Sequence, residues 1–348
     1  MKRGGALRTI ARVRLLFIGG TGIISTACVH RAMALGHDVW VLNRGRTRGP
    51  DLPDGVSRLV ADANDPAAVR AATAGQSFDA VVQWVGFTPD QVARDIELYA
   101  DAGQYVFISS ATVYAKPPPR VITEETPLGN PYWRYASDKI ACEDRLRAAH
   151  AERGFPMTIV RPSHTYGLTQ IPVCVGSWTR PYTILERMRR GAPIVIPGDG
   201  TSLWTVTHNS DFAVGLVGLL GHPDAIGEAV HITSDEAMPW NEIYDHVAAA
   251  AGAELDVLHV PTDALAAADP ELRASLWGDK AHSLVFDNAK IRRLVPEFNP
   301  VVPFAEGIRD TVAWFDADPA RQEVDDDHNA LVDRVAAVYT DALRRVAA

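Results

Sequence analysis

Leu15-Leu16-Phe17-Ile18-Gly19-Gly20-Thr21-Gly22-Ile23-Ile24-Ser25 runs four apolar residues straight into three glycines spread over four positions. Four apolar residues without alternation predict a parallel strand buried on both faces. The glycines predict a tight turn, and the residues after it a helix to about Leu35, broken at Gly36-His37-Asp38. Val39-Trp40-Val41-Leu42 then predicts a second buried strand, ending at Asn43-Arg44-Gly45. Strand, glycine turn, helix and strand make a βαβ unit.

Such a turn lets the backbone approach a pyrophosphate, which then sits on the unpaired N–H groups of the helix N-terminus. Gly19, Gly20, Thr21, Gly22, Ile23 and Ile24 are therefore the candidate dinucleotide-binding residues. Ser25 stands where the usual spacing has a third glycine, and is expected to loosen the helix–strand contact. A carboxylate at the end of the second strand would bond the ribose 2′-hydroxyl of NAD. Asn43 occupies that place with Arg44 beside it, and an arginine suits a 2′-phosphate. NADP is favoured on this ground, with NAD the alternative and Arg44 as a solvated turn residue the competing reading.

Working outward, further strands are expected at 58–61, 80–84, 104–108 and 155–162, with helices near 66–74 and 90–102 between them. Strands alternating with helices predict an α/β fold with a Rossmann-type, doubly wound parallel sheet. Asp62, just past the third strand, either caps the next turn or accepts from an adenine amino group. After Ser163 the texture changes to short apolar runs, prolines and Trp/Thr/Gly-rich loops. The expected organisation is a tail (1–14), a dinucleotide-binding domain (15–162, with later segments returning to it), a smaller substrate-binding region (163–320) and a C-terminal helix (321–348). Helices are expected at 209–220, 240–251 and 304–314, and an amphipathic one over 329–346.

Lys plus Arg total 34 against 43 for Asp plus Glu, a net charge of −9, which argues against a nucleic-acid surface with its basic stripes. No apolar run approaches the ~20 residues of a membrane span. Cys28, Cys142 and Cys174 are too scattered for a metal pattern or a disulfide framework. The first 14 residues hold five basic side chains without an apolar core, so no signal peptide is read there. A cytoplasmic protein without metal is expected.

The chemistry is expected at Tyr132-Trp133-Arg134-Tyr135-Ala136-Ser137-Asp138-Lys139, which continues as a helix. Tyr135 and Lys139, four positions apart, share a helix face. A nearby cation stabilises phenolate and makes tyrosine usable in proton transfer. Ser109-Ser110-Ala111-Thr112-Val113-Tyr114 ends the fifth strand, at the edge where ligands of open α/β sheets bind.

Gly19–Gly22, Ser110, Tyr135 and Lys139, in this order and spacing, resemble the extended short-chain dehydrogenase/reductase family, and within it the NAD-dependent epimerases and dehydratases acting on sugars. Arg161-Pro162-Ser163-His164-Thr165-Tyr166-Gly167, Pro197-Gly198-Asp199-Gly200-Thr201 and His208-Asn209-Ser210-Asp211 are also similar to segments of that family. The resemblance implies that Tyr135 is the acid/base, that Lys139 lowers its pKa and holds the nicotinamide ribose, and that Ser110 bonds the reacting oxygen. It also implies NAD(P) contacts from Trp84, Pro162 and His164, and a homodimer through the helices near 90–102 and 133–153. Ala111 and Thr112 stand where sugar 4,6-dehydratases carry acidic residues, which disfavours that subclass.

Matching the Gly-Asp-Gly-Thr loop puts Trp204 where the epimerases carry a pyrophosphate-gripping arginine, and a gapless match puts Trp277 at a second such place. Tryptophan cannot form a bidentate charged clamp. The expected substrate is therefore a sugar-like molecule without a nucleotide diphosphate, lined by Thr112, Trp133, His164, Trp204 and Trp277. The competing reading makes both tryptophans core residues and gives the clamp to Arg180, Arg189 or Arg190. For the reaction, epimerisation or net oxidoreduction leads, a carbonyl reductase using NADPH is the alternative, and an RNA-associated relative like the chloroplast stem-loop-binding proteins is the non-enzyme class.

Overall fold

A computed structural model describes residues 12–45 and 52–348, so most of the expected N-terminal tail lies outside the described residues. Arg14, assigned to that tail, instead opens strand β1 (Arg14–Ile18), whose apolar residues are wholly buried. Its guanidinium bonds Asp38 across the sheet at 2.9 Å.

The glycine turn leads into α1 (Ile23–Ala34), then β2 (Asp38–Asn43), β3 (Ser57–Val60), α2 (Pro66–Ala72), β4 (Ala80–Gln83), α3 (Pro89–Leu98), β5 (Tyr105–Ile108), α4 (Arg134–Arg153) and β6 (Met157–Pro162). Local chemistry sets the ends. Thr88 caps α3, with Pro89 in its first turn, and Gly154 in the left-handed region stops α4.

Later come β7 (His164–Tyr166), α5 (Thr183–Arg189), β8 (Ile194–Pro197), β9 (Leu203–His208), α6 (Asn209–Leu219), β10 (Ala229–Ile232), β11 (Ala237–Pro239), α7 (Trp240–Ala251), β12 (Val257–Val260), α8 (Thr262–Ala268) and α9 (Pro270–Ser275). A π-helical turn (Leu276–Lys280) follows, then α10 (Ala289–Leu294), α11 (Phe304–Asp316) and α12 (Asp326–Ala347).

Seven parallel strands form one sheet in the order β10-β6-β5-β4-β1-β2-β3. Alternate residues feed opposite cores. Leu15, Phe17, Val41 and Val106 pack with Cys28, Val29, Phe212 and Leu216 of α1 and α6. Leu16, Ile18, Val81 and Phe107 pack with Val69, Val92, Cys142 and Leu146 of α2, α3 and α4. This two-faced burial is the doubly wound architecture. Later segments complete it: α6 lies against α1, and β10 pairs with β6 from Ala229↔Ile159 to Ile232↔Pro162.

A third core gathers α5, α7, α11, α12 and the smaller sheets β11-β9-β7 and β12-β8. Among the described residues no helix is long and apolar enough to cross a membrane, and Cys28, Cys142 and Cys174 are buried and unpaired.

Candidate active site

The turn after β1 is built for close backbone approach. Gly20 has φ +25°, and a Cβ there would meet Val41 Cγ1 at 2.7 Å; Gly19 has φ +109° and presses on Trp84. Ser25 does not loosen this contact: it is buried, and its hydroxyl accepts the Gly22 N–H at 2.8 Å. No side chain caps the first turn of α1, so its N–H groups face the carboxyl edge of the sheet without an internal partner. An anionic pyrophosphate fits there.

Around that turn stand the other expected cofactor residues. Asn43 Oδ1 accepts the Gly45 N–H at 2.9 Å, and Arg44 is exposed beside it. Asp62 is exposed and its carboxylate accepts the Asn64 N–H at 2.9 Å, the turn-capping role. Trp84 is half-buried beside the glycines, its indole N–H buried without a partner among the described residues. Pro162 ends β6, and His164 opens β7 with Nε2 buried and without a partner among the described residues. Burial, then the charge of Lys280, pushes the His164 pKa down to about 3, so this imidazole is neutral.

Tyr135 and Lys139 lie one turn apart on α4, beside the end of β5. Lys139 is 1% exposed and donates to Gly86 O and Ile108 O, both at 2.7 Å, tying the ends of β4 and β5 together. Phe107 and Phe87 offer ring faces 4.6 and 4.9 Å from its ammonium. Burial lowers its pKa to about 8.

Burial raises the Tyr135 pKa above its ordinary 10.0, while the neighbouring Ser110 hydroxyl pulls it back. This direction, set by burial, runs opposite to the depressed phenol that the resemblance implies. Ser110 Oγ accepts from Thr112 N at 3.2 Å and Thr112 Oγ1 at 3.0 Å, which leaves its own proton to donate. Thr112, expected to touch substrate, is buried and turned onto Ser110.

A polar chain that the sequence did not signal holds this edge in place. Ser109 donates to Glu143 Oε1 at 2.7 Å, and Glu143 is clamped twice by Arg161, at 2.9 and 2.5 Å. Arg161 lies over the Tyr114 ring. His231 Nε2 faces the Asp287 carbonyl at 2.7 Å and so carries the proton, leaving Nδ1 to accept from Tyr114 at 3.1 Å.

The expected tryptophans part company. Trp204 is 1% exposed and stacks on Trp240 at 5.1 Å inside the third core. That corrects its placement as a substrate wall. Trp133, at the start of α4, lies 5.3 Å from Tyr135, and Trp277 lies 6.3 Å from the exposed Tyr132. The π-helical turn carrying Trp277 is tied to the segment after β5 by Asn130, which donates to Thr112 O at 2.8 Å and Gly278 O at 2.6 Å.

None of the three candidate clamp arginines serves the cleft. Arg180 bonds Val324 O and pairs with Glu323, Arg189 pairs twice with Asp316, and Arg190 pairs with Glu186. Three charged residues missed by sequence reasoning lie nearby: Lys116, sealed from solvent, pairs with the buried Asp279 at 3.5 Å, and Lys280 follows Asp279 on the π-helical turn. Lys116 reads in sequence only as the start of a proline loop, and Asp279 and Lys280 follow no helical or strand period.

Comparison with known proteins adds to this geometry. The model of the NAD dependent epimerase/dehydratase family matches residues 15–233. A 2′-dehydrokanamycin reductase of Streptomyces kanamyceticus is 29% identical over 82% of this chain and 80% of its own length. The chloroplast stem-loop binding protein of 41 kDa b from Arabidopsis thaliana is 25% identical over 71% of this chain and 65% of its own. The dTDP-glucose 4,6-dehydratase DesIV of Streptomyces venezuelae, solved with NAD bound, shares the fold at a TM-score of 0.71 and 22% identity, over 89% of this chain and 99% of its own. With its glycine turn, its Tyr135–Lys139 helix and the matched model covering residues 15–233, the chain belongs to the NAD dependent epimerase/dehydratase family and is an NAD(P)-dependent enzyme of the extended short-chain dehydrogenase/reductase type.

Proposed function

We propose that this enzyme acts at a carbinol carbon of a sugar-like small molecule that carries no nucleotide diphosphate, with Tyr135 handling the proton. One observation carries the reading: Tyr135 stands one helical turn from Lys139, whose ammonium bonds the last carbonyl of β5, and the Ser110 hydroxyl just past that strand is felt at the phenol. When bound, the nicotinamide cofactor supplies the hydride chemistry. Residues 19–24 would hold its pyrophosphate, Asn43, Arg44 and Asp62 its adenosine end, and Trp84, Lys139, Pro162 and His164 its nicotinamide end.

Because burial keeps the Tyr135 phenol protonated through neutral pH, the free enzyme is set to give a proton to a carbonyl oxygen. Ser110 donates a second hydrogen bond to that oxygen. This favours net reduction with NADPH over epimerisation, and the similarity to a reductase along most of the chain supports the same direction. The engagement of Arg180, Arg189 and Arg190 in other pairs supports a substrate without diphosphate. Similarity to a stem-loop binding protein supports the non-enzyme class less well, since the net charge of −9 suits no RNA surface.

The test follows NADPH absorbance on addition of keto-sugars and keto-glycosides, beside epimer interconversion without added cofactor. Stoichiometric NADPH loss with alcohol formation is expected. Cofactor-free epimerisation would replace net reduction, and micromolar turnover of a UDP-, GDP- or dTDP-sugar would end the exclusion of diphosphates.

A further inference from the structure

A row of aromatic side chains runs outward from the Tyr135 phenol. Trp133, two residues earlier, holds its ring 5.3 Å from that of Tyr135. The π-helical turn closes on the base of Trp133, so tightly that a Cβ on Gly278 would come within 2.9 Å of Trp133 Cβ. Trp277, the residue before Gly278, carries the row on to Tyr132, the two rings 6.3 Å apart. Trp133 and Trp277 are half-buried, and Tyr132 is 47% exposed.

These three side chains belong to none of the three hydrophobic cores, so filling the interior does not account for them. A cluster of large apolar rings left at the surface marks a binding face, and this one is continuous with the reacting group. It is also held in place beforehand. Asn130 donates to Gly278 O, and His282 Nε2 donates to Trp277 O at 3.0 Å. A ligand laid there meets a face whose ordering cost is already met.

We infer that Tyr132, Trp133 and Trp277 form a stacking platform for a second sugar ring, so that the substrate is a glycoside of at least two rings. The reacting ring lies at Tyr135 and the next one on Trp277 and Tyr132. The inference rests on Tyr135 being the reacting group of the proposed function. A sugar ring has apolar C–H faces and a rim of hydroxyls, while tryptophan and tyrosine join a flat apolar face to one polar atom at its edge. A hydrocarbon aglycone would be matched as well by aliphatic side chains, and the row has none.

Calorimetry on the full chain saturated with NADPH tests this, with methyl glucoside, hexyl glucoside, maltose, cellobiose and gentiobiose as probes. At least one disaccharide is expected to bind about tenfold or more tighter than methyl glucoside. Tyr132→Ala and Trp277→Ala should each erase most of that preference, whereas Trp277→Phe should keep it. Unchanged NADPH affinity shows that a variant is folded, and Trp277→Leu replaces Trp277→Ala if that variant fails this check. Methyl glucoside binding as well as every disaccharide, including no detectable binding of any probe, overturns the platform, as does a preference that survives in the double Ala variant. Hexyl glucoside binding as tightly as the best disaccharide gives the face to a hydrocarbon aglycone and overturns the second ring. Tyr135→Phe separates the two ideas. Full turnover of keto-glycosides in that variant beside an intact disaccharide preference sinks the proposed function alone, and lost turnover without any disaccharide preference sinks the platform alone.

Discussion

At the residue scale, Tyr135 and Asp95 give the sharpest expectations. Tyr135→Phe keeps the ring and its packing but removes the proton, so kcat should fall ~10²–10⁴-fold with NADPH affinity unchanged. More than half the parent turnover would remove Tyr135 from its role. Since burial holds the phenol above 10.0, kcat/KM for reduction should stay flat through neutral pH, while oxidation should rise with pH as phenolate forms. A reduction rate that drops well below pH 10.0 would put the proton on another group. Asp95, on the buried face of α3, is bonded by Gln83 and Tyr105 at 2.7 Å each, and burial raises its pKa from 3.8 to about 6. The folded state therefore holds this proton more tightly, and stability from it is lost as pH rises through about 6. Asp95→Asn should gain on the parent by up to ~3 kcal/mol between pH 3.8 and pH values above 6, read from urea unfolding across pH. An unchanged gap across that window would mean Asp95 is ionised throughout. Tyr135, Lys139 and Ser110 were legible in the sequence because helix spacing and strand ends fix where side chains point. Trp204 was not, because Trp204-Thr205-Val206-Thr207 alternates like a strand with one polar face, whereas β9 is buried on both faces.

At the element scale, long periodic segments announced themselves: α1, α4, α6, α7, α11 and α12 lie within a few residues of where the pattern put them. What stayed hidden were elements too short to show a period, such as β8, β12, α8 and α9, and above all the π-helical turn, whose place depends on contacts from distant segments. Asn130 supplies the main one. Asn130→Ala leaves the Thr112 and Gly278 carbonyls without their donor, which should cost ~1–3 kcal/mol in unfolding and raise KM more than it lowers kcat. Gly278→Ala tests the same contact from the other side, since its Cβ would come within 2.9 Å of Trp133 Cβ. A similar rise in KM with ~1–3 kcal/mol of destabilisation is expected. Parent-like KM in both variants would show that the turn does not shape the substrate cleft.

At the scale of the whole molecule, the outer face of α3 and α4 forms a groove lined by Ala93, Ile96, Ala141, Ala148 and flanking charges. We propose that two copies pair through it. Light scattering at micromolar concentration should give a dimer, and Ala148→Glu a monomer; a monomeric parent ends the idea. The doubly wound sheet was readable from its first βαβ unit, but its last strand was not, since Ala229–Ile232 looks like any short apolar run. That strand has a consequence for how the chain is made. β6 ends at Pro162 and its neighbour β10 ends at Ile232, 70 residues later (232 − 162). At ~5–20 residues per second of synthesis, the ribosome delivers the missing edge ~4–14 s after β6. Throughout that interval the nascent sheet has an open edge at β6, and until Leu219 is made it also has no α6 over α1, so it is during translation, rather than in the finished enzyme, that this fold most needs a chaperone.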